Sequence, residues 1–202
     1  MYFYQSIKNM EYFLNKHLNK KIVGIAGVGG LGSNCAIALA RVGIGKLVIA
    51  DYDVVSESNL NRQYFFSNQV GLLKVIALKE TINKINTHTE VETHNIKLTA
   101  TSIIEIYKSC DIIVEAFDSA EMKQIIIETV ISKFPDKYIV SGIGMAGWGN
   151  NNIINTKRYD KLYICGDGIT EISETKAPLA PRVGIVANMQ ANQVLELLLA
   201  EK

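Results

Sequence analysis

Short apolar blocks alternate along this chain with longer stretches of helical periodicity. KIVGIA (21–26), KLVIAD (46–51), DIIVEAF (111–117) and KYIVSGI (137–143) are strand-length apolar runs, the pattern of strands buried on both faces. VETHNIKL (91–98) alternates and predicts a further strand, and LYIC (162–165) a short one. Between them, 33–43 predicts a helix ending at a glycine. Residues 71–86 place Val75, Leu78, Ile82 and Ile85 on one helical face. Segments 99–108, 119–133 and 182–200 read as further helices, with Asp118 or Ser119 as N-cap of the second. Ile7, Met10, Leu14 and Leu18 recur at helical spacing, so an amphipathic helix is expected within 1–19. Residues 144–152 (GMAGWGNNN) form a loop, and 166–181 is expected to be a mobile one. Strands alternating with helices predict an α/β, Rossmann-like doubly wound fold. Its sheet is mainly parallel with helices on both faces, in a single domain over 1–202.

Composition narrows the partners. A formal charge of +1 and no basic stripe give no sign of nucleic acid. No apolar run reaches the roughly 20 residues that span a bilayer, and the first residues lack the layout of a secretory signal. Three scattered cysteines (Cys35, Cys110, Cys165) suit a reducing cytoplasm rather than a disulfide framework. His17, His88 and His94 lack metal-ligand spacing.

The candidate chemistry begins at the turn after the first apolar run. Gly27, Gly29 and Gly32 have G-x-G-x-x-G spacing, strand before and helix after, and Asp51 closes the next strand. Such a turn lets backbone N–H groups meet a phosphate at a helix N-terminus, and the acid accepts ribose hydroxyls. Just beyond lies a polar cluster, Asp53, Asn59, Asn61, Arg62 and Gln63, followed by Lys74; Asp118 stands at the end of a later strand. Strand carboxyl ends share one edge in such a sheet. Two cations and a spare acid beside a nucleotide suit a triphosphate with Mg²⁺ better than a dinucleotide. Taken singly, Arg62 reads equally well as a surface residue paired with Glu57 or Asp53, whereas Lys74 reads better as a surface lysine than as a ligand, and Asp118 better as a helix cap than as a metal ligand.

In this order the motifs GVGGLGS, DYDVV, SNLNRQ, GLLK, EAFDS and APRVGIVANMQANQVLELL resemble the adenylation domain of ubiquitin-activating-type enzymes. The resemblance is to the ThiF, MoeB and HesA family, and within it to the compact ThiF type, from about Lys20 to the last helix. It implies that Gly27, Gly29, Gly30 and Gly32 surround the phosphates of ATP, Asp51 binds the ribose, and Asp53 belongs to the nucleotide site. Asn59, Arg62 and Gln63 would contact the triphosphate, Lys74 would hold phosphate oxygens, and Asp118 would bind Mg²⁺. Arg62, Lys74 and Asp118 would be catalytic. The partner implied is a ThiS-like β-grasp sulfur carrier whose C-terminal Gly-Gly carboxylate is adenylated with release of pyrophosphate, in thiamine (thiazole) synthesis. A cytoplasmic homodimer is expected, with Tyr2, Phe3 and Phe13 contributing to its contact.

Relatives with a structural zinc need four thiolates, and three scattered cysteines predict none here. Cys165 reads as a strand-end packing residue rather than a reactive thiol. Trp148 suits either partner docking or packing, and Lys176 either ordering over a bound tail or solvent. The glycine fingerprint is also compatible with an NAD-dependent oxidoreductase, although little chain remains for a separate substrate region. A molybdopterin-type carrier could serve as the partner instead, and a nucleotide-binding scaffold without turnover would need the same turn.

Overall fold

The structure, a computed structural model, describes residues 13, 14, 16–170 and 172–200. Tyr2, Phe3, Ile7 and Met10 of the expected N-terminal helix therefore lie outside the described residues. Leu18 is fully buried, with Leu14 packed against the same core.

Among the described residues, seven strands form one sheet: β1 (Ile22–Ala26), β2 (Lys46–Asp51), β3 (Glu90–Asn95), β4 (Ile112–Glu115), β5 (Tyr138–Gly142), β6 (Asn155–Tyr159) and β7 (Leu162–Gly166). Their order is β3-β2-β1-β4-β5-β7-β6. All neighbours pair in parallel except β6 and β7. Five helices bounded within the described residues pack on it: α1 (Gly30–Arg41), α2 (Lys74–Ile85), α3 (Ala100–Tyr107), α4 (Ala120–Lys133) and α5 (Ala180–Ala200).

Burial on both faces explains the apolar blocks. Val23, Ile25, Leu47, Ile49, Ile112 and Val114 join the core beneath α1, α2 and α5. The intervening Val48, Ala50, Ile113 and Ile139 join a second core beneath α3 and α4. The strand period of two thus sorts one run of apolar residues into two cores. Tyr107 lies over Gly24, where a Cβ would meet its ring at 2.5 Å. Its buried hydroxyl donates to Ile25 O at 3.1 Å.

Two features depart from the sequence pattern. The helix expected from residue 33 begins at Gly30, so the second half of the glycine motif is its first turn. The antiparallel strand β6 gave no apolar signal, because all five of its residues are exposed. The last helix, α5, has the length and mean hydropathy (1.2) of a membrane span, but half of that stretch is buried. Its apolar residues Val183, Val186, Ala187 and Val194 are spent on the core it shares with α1.

The two halves of the glycine motif do different work. Gly27 has φ +86°, a left-handed conformation that favours glycine. A Cβ at Gly32 would sit 1.9 Å from Gly27 O, whereas one at Gly29 would meet only Gln63 Nε2, at 3.7 Å. Gly32→Ala is therefore expected to destabilise the protein by about 3 kcal/mol or more. Gly29→Ala should unfold within about 1 kcal/mol of the parent, since added bulk without a clash has a small effect. Urea denaturation of the two variants checks this.

Candidate functional site

Reversal of strand order between β1 and β4 leaves a crevice at the strand carboxyl ends, the usual ligand position in open α/β sheets. A pocket there is lined by Gly27, Gly29, Gly30, Asp51, Asp53, Arg62, Gln63, Lys74 and Asp118. Ile96, Leu98, Phe117 and Met122 add an apolar part to the same lining. Gly32 and Asn59 are outside the lining. Gly32 is a packing glycine, and Asn59 Oδ1 accepts the Ser56 N–H at 3.0 Å, closing its own turn.

Local hydrogen bonds fix each wall. Asp51 receives Val28 N–H on Oδ2 and Asp53 N–H on Oδ1, both at 2.8 Å, which ties the end of β2 to the glycine turn. A carboxylate has about four acceptor positions, so two backbone bonds leave room for two hydroxyl donors. In the first turn of α1, Ser33 Oγ donates to Gly29 O at 2.6 Å and accepts Tyr64 N–H at 2.9 Å. Asn34 Nδ2 donates to Gly30 O and Arg62 O at 2.7 and 3.0 Å. These two side chains fasten the Arg62–Gln63 segment against the glycines.

The long connection from β2 to α2 folds back through a bridge between Val54 and Leu73 and a Lys74 N–H to Asp53 O bond of 2.9 Å. Lys74, 5% exposed, thereby meets Asp53 Oδ2 at 2.8 Å. Arg62 Nη1 donates locally, to Ser58 O at 3.1 Å and Asn61 Oδ1 at 2.8 Å. Gln63 Oε1 is buried without a hydrogen-bond partner among the described residues, and an unpaired buried amide in a pocket wall is suited to a ligand group. Asp118 is exposed at the mouth.

A layer beneath the pocket went unread in the sequence. Glu115, 0% exposed, accepts Lys123 Nζ on both oxygens at 2.9 and 2.8 Å, Phe117 N–H at 2.7 Å and Ser141 Oγ at 2.5 Å. Lys123 also donates to Gly142 O at 2.9 Å, and Gln190 of α5 to Glu115 O at 2.9 Å. The turn carrying Asp118 is thus pinned to β5, α4 and α5. The one signal was an acid inside an apolar strand, which requires a buried partner; the partner's identity was not legible.

The three thiols are buried. Desolvation pushes Cys110 up to about 12 and raises Cys35 and Cys165 above the usual thiol range. Cys165 packs within β7, with its sulfur 3.5 Å from Thr156 Oγ1. Trp148 is 75% exposed, and Lys176 closes a small turn with Ser173 outside the pocket.

The chain matches the ThiF family over residues 5–202 and belongs to it. It is 33% identical over 181 residues to the adenylyltransferase and sulfurtransferase UBA4 of Eremothecium gossypii, covering 86% of this chain and 40% of that protein. To the adenylyltransferase and sulfurtransferase MOCS3 of Dictyostelium discoideum it is 31% identical, covering 88% and 43%. The chain therefore spans about two fifths of the length of these relatives. Among solved structures, the E. coli tRNA N6-threonylcarbamoyladenosine dehydratase TcdA in complex with ATP superposes with a TM-score of 0.84. That match has 19% identity and covers 94% of this chain and 90% of TcdA. E. coli MccB with AMPCPP and MccA gives a TM-score of 0.71 at 21% identity, covering 93% and 58%. These likenesses place the fold, a mainly parallel Rossmann-like sheet.

Two outcomes follow for the charged groups. Lys123→Met leaves Glu115 buried and unpaired and is expected to destabilise by about 3–5 kcal/mol, while Glu115→Gln with Lys123→Met recovers part of that; chemical denaturation measures both. Asp167, directly after β7, is buried, which opposes its charge. Hydrogen bonds from Thr170, Ile169 and Arg182 outweigh burial and hold its carboxyl at about 2. A depressed pKa stabilises above the unfolded value, roughly 3.9, and that contribution is lost as pH falls toward 2. Asp167→Asn should therefore flatten the acid limb of a stability–pH curve in this window.

Proposed function

We propose that this chain is an ATP-dependent adenylyltransferase acting on the C-terminal Gly-Gly carboxylate of a ThiS-like sulfur carrier, in thiamine (thiazole) synthesis. The observation that carries the reading is the meeting of Arg62, Lys74 and Asp118 with the glycine turn and Asp51 around one cleft. Apolar Ile96, Leu98, Phe117 and Met122 suit a purine, and Asp51 suits the ribose. The names of the relatives, and the nucleotides in the TcdA and MccB complexes, agree with ATP as substrate.

In this reading the glycine-turn N–H groups and the N-terminus of α1 face the phosphates. A carboxylate oxygen of the carrier attacks the α-phosphorus, the bond to the bridging oxygen breaks, and pyrophosphate leaves with the electron pair. No proton transfer is needed, so positioning and charge stabilisation dominate. Lys74 leaves Asp53 to share its ammonium with phosphate oxygens, and Arg62 exchanges its local carbonyls for the departing pyrophosphate. Gln63 Oε1, an acceptor, takes the partner it lacks from a hydroxyl or amino donor of the nucleotide rather than from the phosphates.

The described residues contain no group of three or more potential metal ligands. A single exposed carboxylate, Asp118, fits Mg²⁺ that arrives with the nucleotide, because that ion keeps waters and takes one or two carboxylates plus phosphates. When bound, Mg²⁺ neutralises charge on the triphosphate. Burial of all three thiols agrees with adenylation alone, sulfur transfer being left to another protein. A cytoplasmic homodimer belongs to the same proposal.

The test is ATP–[³²P]pyrophosphate exchange with Mg²⁺ and a Gly-Gly-ended carrier. Exchange should require the intact tail and fall about 10²–10³-fold in Arg62→Ala and Asp118→Ala, as when one charge-stabilising group is removed. Parallel arms with molybdopterin-type carriers and with tRNA, the substrate in TcdA's name, identify another acceptor. Binding of NAD in place of ATP would overturn the proposal.

A further inference from the structure

Two loops beside the cleft, 143–150 and one carrying 167–170 and 172–179, are joined through one buried guanidinium. Arg182, in the first turn of α5, donates from Nη1 to Gly149 O and from Nη2 to Asp167 Oδ2, both at 2.5 Å. Its side chain is 4% exposed and that of Asp167 0%. Asp167 organises its own loop as well, accepting Ile169 N–H and Thr170 N–H on Oδ1 at 2.9 Å and Thr170 Oγ1 on Oδ2 at 2.6 Å. Gly144, at φ +78°, makes room for it: a Cβ there would stand 1.9 Å from Asp167 Oδ1. Backbone pairing completes the joint, through Gly147 N–H to Ala177 O at 2.9 Å and a bridge between Ala146 and Pro178.

The joined loops form one wall of the cleft. Met145, Ile172 and Pro178 line it, and so does Val183, next in chain to Arg182. Trp148 and Ile169, 75% and 74% exposed, stand outside. Among the described residues, none of the side-chain hydrogen bonds of Arg182 or Asp167 reaches the glycine turn, Asp51, Arg62, Lys74 or Asp118. A buried ion pair adds little net stability over well-packed apolar residues. What the planar fork supplies is direction, two bonds at fixed angles to two different loops.

We propose that Arg182 and Asp167 are positioning residues that lock these loops into a single wall setting the path by which the second substrate's carboxylate-bearing tail reaches the nucleotide. The inference rests on the adenylation reading, in which the glycine side of the cleft holds ATP and the tail needs another approach. Loss of the pair raises KM for the carrier and leaves ATP binding in place.

Trp148 is the chain's only tryptophan, so its intrinsic fluorescence reports on this wall directly. The variants are Arg182→Lys, which keeps the charge but not the fork, and the pair Arg182→Leu with Asp167→Asn, which leaves no unpaired buried charge. Both should show cooperative thermal unfolding, bind ATP within about twofold of the parent, and show lower Trp148 anisotropy. Carrier KM should rise about tenfold or more with kcat at saturating carrier changed by less than about threefold, since small misplacements remote from the reacting atoms can weaken productive binding this much. Unmoved carrier KM in folded variants, unchanged Trp148 anisotropy, or loss of ATP binding in step with carrier binding would overturn the inference alone. Wild-type protein that binds ATP yet supports exchange with no acceptor would overturn the adenylation reading and this inference with it.

Discussion

The close approach of Gly32 to the carbonyl oxygen of Gly27 is the constraint from which the site is built. Helix α1 presses so closely on the end of β1 that no side chain fits between them. Everything nearby takes its place from that approach. Ser33 and Asn34 come within reach of the Arg62–Tyr64 segment. Asp51 reaches the Val28 N–H across the strand ends. A helix seated one side-chain radius farther out would open these bonds and aim its N-terminus away from the crevice.

Around that turn, each of three cations has its own acceptors before any ligand arrives. Lys74 is held by Asp53, Arg62 by neutral carbonyls, and Lys123 by Glu115. The three cations differ in what an incoming anion must displace. Arg62 gives up two neutral acceptors, Lys74 a half-exposed carboxylate, and Lys123 a fully buried one with two further donors. Desolvation makes the last exchange prohibitive. Lys123 is therefore part of the foundation, while Arg62 and Lys74 are the cations free to turn toward a phosphate.

Much of this was legible in the sequence, for identifiable reasons. Buried parallel strands leave continuous apolar runs, so β1, β2, β4 and β5 stood out. The glycine spacing, Asp51, Arg62, Lys74 and Asp118 pointed to one edge because strand ends in this topology share it. The missing parts have no local signature. β6 is exposed at every residue, and its pairing depends on the turn at Asp160. Glu115 was visible as an acid in an apolar strand, but Lys123, Ser141 and Gln190 come from three other elements. Asn59 has the right neighbours in sequence, but it lies outside the pocket lining and its Oδ1 closes its own turn, a placement that no spacing records. The joint at Arg182 links residues 33 positions apart through a carbonyl, a pairing that no periodicity records.

The polar strand β6 also bears on how the sheet ends. Its outer rim offers backbone N–H and C=O groups to any extended chain that passes, the feature through which β proteins join into aggregates. Lys157 and Arg158 are consecutive exposed residues of that edge strand, one on each face of the sheet. Two copies meeting edge to edge there would bring four cations into one short ladder. The same poverty of apolar residues that hid β6 from the sequence pattern thus keeps this edge of the sheet from growing into a neighbouring molecule.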